Sequence, residues 1–119
     1  MSKIQEAIVE LRQAPGVRGA AVVTSDGLVA ASSLSTGLDP DVIAGLASYL
    51  MMTTNRSLDE GGYGSATKLL LNATHGKAVF VELDDNYLVV LFDQFAEIEQ
   101  ADREVDQAAE RIRHASRLA

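Results

Sequence analysis

Apolar residues recur at intervals of three and four in three segments of the chain, and this spacing predicts amphipathic helices. At the start of the first segment, Ser2 and Gln5 have the spacing of a capping box, in which each side chain satisfies a free backbone N–H group. At the start of the second, Asp39 suits the N-cap and Pro40 suits the first helical position. The predicted helices are Ser2–Ala14, Pro40–Leu58 and Ala96–Leu118.

Five other segments are short, apolar and bounded by turn-forming residues, which predicts strands. Asp26-Gly27 lies between the first two and favours a tight hairpin turn with both residues at positive φ. Short connections make the last three strands antiparallel neighbours. The final two strands are almost continuously apolar, which indicates that both of their faces are covered. The predicted strands are Val17–Thr24, Leu28–Ser33, Ala66–Ala73, Ala78–Leu83 and Tyr87–Phe92.

The order of these elements, αββαβββα, predicts an α+β fold: a five-stranded antiparallel sheet with helices on both faces. If the first and last strands meet inside the sheet, the second and third strands become its two edges. The sequence contains no linker, internal repeat or low-complexity tract, so we expect a single domain over residues 1–119.

The third strand is a predicted edge that invites pairing with another chain. It carries Leu69-Leu70-Leu71, with only Lys68 and Asn72 as polar neighbours. The second helix is apolar over a wide arc, which indicates a contact beyond its own sheet. We therefore expect a homodimer; the alternative is a chain without a partner, in which Leu70 faces the core and Leu69 and Leu71 lie beneath a helix. The predicted interface residues are Ile43, Leu46, Leu50, Met51, Leu69 and Leu71.

The composition narrows the classes of function. The formal net charge is −7, from 17 acidic and 10 basic residues, and the basic residues are scattered, so we expect no nucleic-acid partner. The chain has no cysteine, which excludes thiol nucleophiles and disulfides. Neither a signal peptide nor an apolar run of about 20 residues is visible, so we expect a cytoplasmic protein without membrane insertion.

The polar motifs do not combine into a catalytic or metal-binding pattern. His75 and His114 are far apart and have no ligand spacing, so they are interpreted as a turn residue and a helix-terminal cation. Asp84-Asp85-Asn86 lacks the remaining ligands of a calcium loop and is interpreted as a turn. Gly61-Gly62-Tyr63-Gly64-Ser65 follows a helix and precedes a strand, which is the wrong order for a phosphate-binding loop. We therefore predict no catalytic residue, no metal and no cofactor.

The chain resembles the Roadblock/dynein light chain family over almost its full length. The likeness begins at Pro15-Gly16-Val17-Arg18-Gly19-Ala20 and continues through the hairpin from Val23 to Ala31. It includes the second helix after Asp39, the glycine-rich break, and Gly76 between the third and fourth strands. The order and spacing of these features carry the resemblance, since each of them alone is common.

The resemblance implies the same sheet, with the second helix on one face and the terminal helices on the other. It also implies a homodimer that joins third strands and second helices into a continuous ten-stranded sheet. Members of the family act on or beside small Ras-like GTPases as activators, exchange factors or scaffolds, and others are dynein light chains. A small Ras-like GTPase is therefore the expected partner of a non-enzymatic regulator, and a light-chain-like dimerisation module without effect on nucleotide turnover is the alternative.

Three residues of the second helix are the predicted contacts for that partner: Tyr49, Met52 and Arg56. An arginine supplied in trans can stabilise phosphoryl transfer, although a solvated arginine at the end of its own helix is the simpler interpretation of Arg56. A third hypothesis, a small-molecule sensor, requires a pocket of several hundred cubic ångströms lined by polar groups, for which the sequence offers no polar cluster.

Overall fold

The computed structural model describes residues 2–118 and has the predicted order of helices and strands. The predicted α+β fold is confirmed, with boundaries that shift by a few residues. The largest shift is at the last helix, which begins at Asp102 because residues 93–97 form a turn and a short 3-10 segment follows it. The elements are α1 (Lys3–Leu11), β1 (Val17–Thr24), β2 (Val29–Leu34), α2 (Pro40–Glu60), β3 (Lys68–Ala73), β4 (Gly76–Leu83), β5 (Asn86–Phe92), a 3-10 helix (Ile98–Ala101) and α3 (Asp102–Leu118).

The five strands form one antiparallel sheet in the order β2-β1-β5-β4-β3. The first and last strands meet inside the sheet, where Ala21 lies opposite Val89. The edges are therefore β2 and β3, as predicted. The β4–β5 connection is a turn at Asp84-Asp85, and Asp84 takes a φ of 71°. Asp residues tolerate this left-handed conformation better than most others.

The sheet separates two apolar cores. The first lies between the sheet and the terminal helices α1 and α3, and the second lies between the sheet and α2. Successive strand residues alternate between them: Ala20 and Val22 of β1 face the terminal helices, whereas Ala21 and Val23 face α2. This double coverage explains the almost continuous apolar sequence of the central strands and confirms the arrangement of helices implied by the resemblance.

The start of α1 differs from the predicted capping box. The Ser2 hydroxyl oxygen accepts a hydrogen bond from the Gln5 backbone N–H at 3.0 Å, which is the expected half of the motif. The Gln5 side chain does not return to Ser2; its amide donates to the backbone carbonyl of Ser32 on β2 at 3.0 Å. The prediction of a reciprocal box is therefore wrong, and Gln5 instead attaches α1 to an edge strand.

The β1–β2 connection also differs from the predicted tight turn. Only Gly27 has positive φ, at 91°, and Asp26 does not. The Gly27 backbone N–H donates to the Thr24 carbonyl, and the Thr24 hydroxyl oxygen accepts from the Leu28 backbone N–H at 3.0 Å. The turn is thus one residue longer than the Asp-Gly signal predicts, and Thr24 supplies the contacts that close it.

Candidate docking surface on α2 and β3

The outward side of α2 carries a stripe of exposed apolar side chains. We call Val42, Leu46, Tyr49 and Met52 the outer stripe; their spacings of four and three place them along one side of a helix. Their exposed fractions are 65%, 52%, 61% and 52%. The sequence predicts Tyr49 and Met52 as contacts for a GTPase partner, but it does not predict Val42. Its position seven residues before Tyr49 is the sequence signal that places it there.

The opposite side of α2 is buried in the protein's own core. Ala44, Ala47 and Met51 are fully buried against the sheet, and Met51 is among the largest buried side chains. The prediction of Met51 as a dimer contact is therefore wrong, because no part of its side chain reaches the surface. Ile43 and Leu50 occupy an intermediate position, partly buried at the border of this core.

A groove separates the first half of α2 from the far half of the sheet. It exists because α2 packs over β1 and β2 and leaves β3 and the neighbouring strands partly uncovered. Its volume is about 220 Å³, and its walls are mostly apolar. Three predicted interface residues line it together: Ile43, Leu46 and Leu71.

Arg18 reaches the groove through an irregularity in β1. The β1–β5 register shifts between Val17 and Gly19, so that Arg18 is an extra residue at this point of the strand. Such a bulge redirects its side chain, and Arg18 lines the groove together with His75 of the β3–β4 turn. The sequence could not have assigned Arg18 to this groove, because a bulge leaves no periodic signal.

The three leucines of β3 divide between the two faces of the sheet. Leu69 packs against the α2-side core, and Leu71 lies on the same face with 36% of its surface exposed. Leu70 points to the face of the terminal helices, yet 52% of it is exposed because no helix covers it. The alternative in which Leu70 belongs to the core is therefore wrong. The edge strand presents apolar surface on both faces.

Lys68, one of the two polar residues that flank the leucines of β3, forms ion pairs with its own chain. Its ammonium group lies 3.8 Å from a carboxylate oxygen of Asp102 and 3.4 Å from one of Asp106, both on α3. Its side chain is 29% exposed. Because two acids on its own chain already engage it, Lys68 contributes little charge that would repel a second chain at β3.

Arg56 lies on the exposed side of α2, one turn before its end. The end of the helix is closed by backbone groups: the Gly61 N–H donates to the Ser57 carbonyl, and the Tyr63 N–H donates to the Leu58 carbonyl. Within residues 2–118, no carboxylate lies within ion-pairing distance of Arg56. Its guanidinium group therefore extends the outer stripe with a positive charge.

The remaining polar candidates are not gathered into a metal-binding cluster within residues 2–118. In the part of the chain that the structure describes, no three His, Asp or Glu side chains lie close enough to hold a metal ion. The Asp84 turn is occupied by its own contacts, since its backbone N–H donates to the Glu82 carboxylate and its carboxylate lies 3.5 Å from Arg117.

None of the helices within residues 2–118 is long and apolar enough to span a membrane.

Comparison with known proteins places this fold in a family. An uncharacterised protein of Methanocaldococcus jannaschii is 31% identical over 110 residues, which cover 92% of this chain and 96% of that protein. MglB of Myxococcus xanthus has a similar structure, with a TM-score of 0.92 and 13% identity over 100% of this chain and 98% of that one.

A solved structure of MglB with a tetrameric arrangement has a TM-score of 0.85 and 19% identity, over 95% of this chain and 87% of that one. These low identities to solved structures show the fold alone. The model of the Roadblock/LC7 domain matches residues 3–92, and this match covers most of the sequence. The chain therefore belongs to the Roadblock/LC7 domain family.

Proposed function

We propose that this protein is a non-enzymatic homodimer that binds a small Ras-like GTPase and regulates its GTP hydrolysis or nucleotide exchange. The outer stripe of α2 is the observation that carries the proposal. Four large apolar side chains, each more than half exposed, lie side by side on one helix. A continuous apolar patch on the surface of a chain marks an interaction site, and the resemblance to Roadblock regulators indicates the class of partner.

The composition of the outer stripe favours docking over catalysis. Tyrosine and arginine are enriched among the residues that dominate binding energy at interfaces, and Tyr49 and Arg56 lie one above the other, seven residues apart on α2. Burying an exposed apolar side chain contributes about 1.5–3 kcal/mol when the burial is complete. The stripe is thus large enough to anchor a protein partner without a titratable cluster beside it.

The groove and β3 support self-association. The groove is apolar, lies next to an edge strand with free backbone groups, and contains Ile43, Leu46 and Leu71. Its volume of about 220 Å³ lies below the roughly 300–1,000 Å³ of small-molecule pockets. It therefore suits side chains from a second copy better than an enclosed ligand, and the tetrameric arrangement of MglB is an example of self-association on the same fold.

The partner is tested by mixing the purified protein with a small Ras-like GTPase from the same genome, followed by measurement of complex formation and GTP turnover. Tyr49→Ser should weaken binding by at least about fivefold, because it removes a central anchor of the outer stripe. Tyr63→Ser is the matched control, since Tyr63 is 82% exposed but lies outside α2. Wild-type protein that neither binds nor changes turnover, or equal weakening by both variants, would refute the proposal for that GTPase.

Arg56→Ala distinguishes regulation of hydrolysis from docking alone. If Arg56 stabilises the transferred phosphoryl group in trans, this variant should lower the stimulated hydrolysis rate even at saturating concentrations of the protein, at which any weakening of binding no longer affects the rate. Arg103→Ala is the control, because Arg103 is exposed on α3. Binding without any change in hydrolysis or exchange would instead favour the light-chain-like dimerisation module, for which the apolar character of the outer stripe is the supporting observation.

A further inference from the structure

β2 is the second open edge of the sheet, and its own sequence does little to protect it. The strand Val29–Leu34 contains no charged residue and no proline, although these are common defences of an edge against pairing with another chain. Ala30 has no partner on β1, because the register of the two strands shifts there. Such a bulge interrupts a strand, so it protects the start of β2 but not residues 31–34.

Ser32 turns its backbone groups away from the sheet. The Ser35 N–H donates to the Arg18 carbonyl on β1 at 3.0 Å, and the orientation of the backbone groups alternates along a strand. Residue 33 therefore faces β1, whereas Ser32 and Leu34 face outward, where no strand lies beside them. The Ser32 carbonyl thus lies at the place where a strand of another chain would pair.

Two side chains of α1 occupy this part of the edge. The Gln5 amide donates to the Ser32 carbonyl at 3.0 Å, and the Arg12 guanidinium group donates to the Ser33 hydroxyl oxygen at 3.2 Å; both contacts are partly buried. Arg12 caps α1 in a helical conformation. A spacing of seven residues therefore places both side chains on the same side of the helix. We call Gln5 and Arg12 the edge clasp.

We propose that the edge clasp closes β2 to strand pairing and keeps self-association of the protein finite. A chain that pairs at both edges of its sheet joins copies into an open-ended assembly, whereas a chain with one open edge forms closed pairs. The edge clasp leaves β3 as the open edge. The inference goes beyond the proposed function, because it concerns the opposite edge of the sheet and applies to a homodimer and to a monomer alike.

The edge clasp opposes a second strand in two ways. An incoming N–H group has to displace the Gln5 amide from the Ser32 carbonyl, and the displaced amide loses a partly buried partner. Arg12 adds a positive charge, since within residues 2–118 no carboxylate lies within ion-pairing distance of it. When two β2 strands approach each other, their arginines approach as well, and like charges across a strand pair are destabilising.

Replacing both residues of the edge clasp with methionine tests the inference. Methionine has nearly the length of glutamine but cannot donate a hydrogen bond, and it carries no charge. Sedimentation velocity over a range of protein concentrations measures the size of the assembly. The unmodified protein should keep one small size, whereas the double variant Gln5→Met, Arg12→Met should form species that grow with concentration. Their onset should lie at least about tenfold below any onset in the unmodified protein.

Two further double variants are the controls. Glu6→Met with Gln13→Met adds the same two side chains at exposed positions with the same spacing, so it should not promote growth. Gln5→Lys with Arg12→Lys retains a hydrogen-bond donor and a charge at both positions, so it should remain small. Circular dichroism checks that each variant is folded. If the methionine pair is unfolded, the single variants Gln5→Met and Arg12→Met decide the outcome.

Ser32→Pro locates the new contact. Because the Ser32 N–H faces outward, proline removes a donor from the edge without breaking a hydrogen bond to β1. Added to the methionine pair, this substitution should return the assembly to the size of the unmodified protein. The inference is overturned by growth of the unmodified protein, by methionine variants that do not grow, by equal growth of the control at Glu6 and Gln13, or by growth that a folded Ser32→Pro variant does not reverse.

Discussion

Replacing Met51 with alanine should lower the free energy of unfolding by about 3 kcal/mol, whereas the same replacement at Met52 should change it by less than about 0.5 kcal/mol. Met51 is fully buried between α2 and the sheet, while Met52 is 52% exposed on the outer stripe. The Met51 variant loses about three buried groups of methylene size, worth about 0.8 kcal/mol each, and the cavity that remains adds the rest.

Urea denaturation monitored by circular dichroism measures this difference. With a slope of about 2 kcal/mol per molar urea, the midpoint of Met51→Ala should fall by about 1.5 M, while that of Met52→Ala should stay within about 0.3 M of the unmodified protein. Each variant is measured at several protein concentrations, because dimerisation stabilises the folded state by mass action. Equal losses for the two variants, or a larger loss for Met52→Ala, would refute the assignment of the inner and outer sides of α2.

Three further substitutions test local features of the fold by the same denaturation assay. Gly27→Ala should cost about 1–3 kcal/mol, because Gly27 has a φ of 91°, and a loss below about 0.5 kcal/mol would contradict a strained turn. Gln5→Ala should cost about 0.5–1.5 kcal/mol through the bond to Ser32, so an unchanged midpoint would exclude that contact. Lys68→Gln should lower the free energy of unfolding by less than about 1 kcal/mol in low salt and by still less in 1 M NaCl, because the ion pairs of Lys68 are partly exposed. A larger loss that salt does not reduce would contradict this description.

Residue spacing predicts that α2 contacts more than one surface, but it does not predict which side faces the sheet. Met51 and Met52 are adjacent residues with identical side chains, and about 100° of rotation around the helix separates them. The apolar arc of α2 is wide enough to contain both methionines. Its position in the sequence therefore does not show which of the two faces the sheet. Met51 lies inside only because α2 packs on the sheet with this side inward, which puts Met51 in one core with Phe80 and Val89. The error at Met51 therefore follows from the width of the apolar arc.

Residue spacing also fails to predict which helices cover β3 and which polar side chains meet over long distances in the sequence. Alternation along a strand predicts that Leu69 and Leu71 share a face and that Leu70 occupies the other. It does not show that α2 and α3 leave both faces partly open. In the sequence, Lys68 reads as an exposed charge at the edge of the sheet, whereas in the structure it pairs with Asp102 and Asp106 of α3. Residue spacing cannot predict this pairing, because more than thirty residues separate the partners. Spacing also suggested that Gln5 binds Ser2, although a carbonyl on β2 is the better partner.

The pairing of β1 with β5 has a consequence for synthesis of the chain. These strands lie side by side inside the sheet, yet Ala21 and its neighbour Val89 are far apart in the sequence. A ribosome releases the amino-terminal helix and hairpin well before β5 emerges, and until then β1 lacks one of its two neighbours. Contacts between distant segments slow folding, so the nascent chain exposes the apolar faces of β1 and α2 during this interval. Chaperone binding and misassembly on the ribosome should therefore concentrate on the stretch before residue 92.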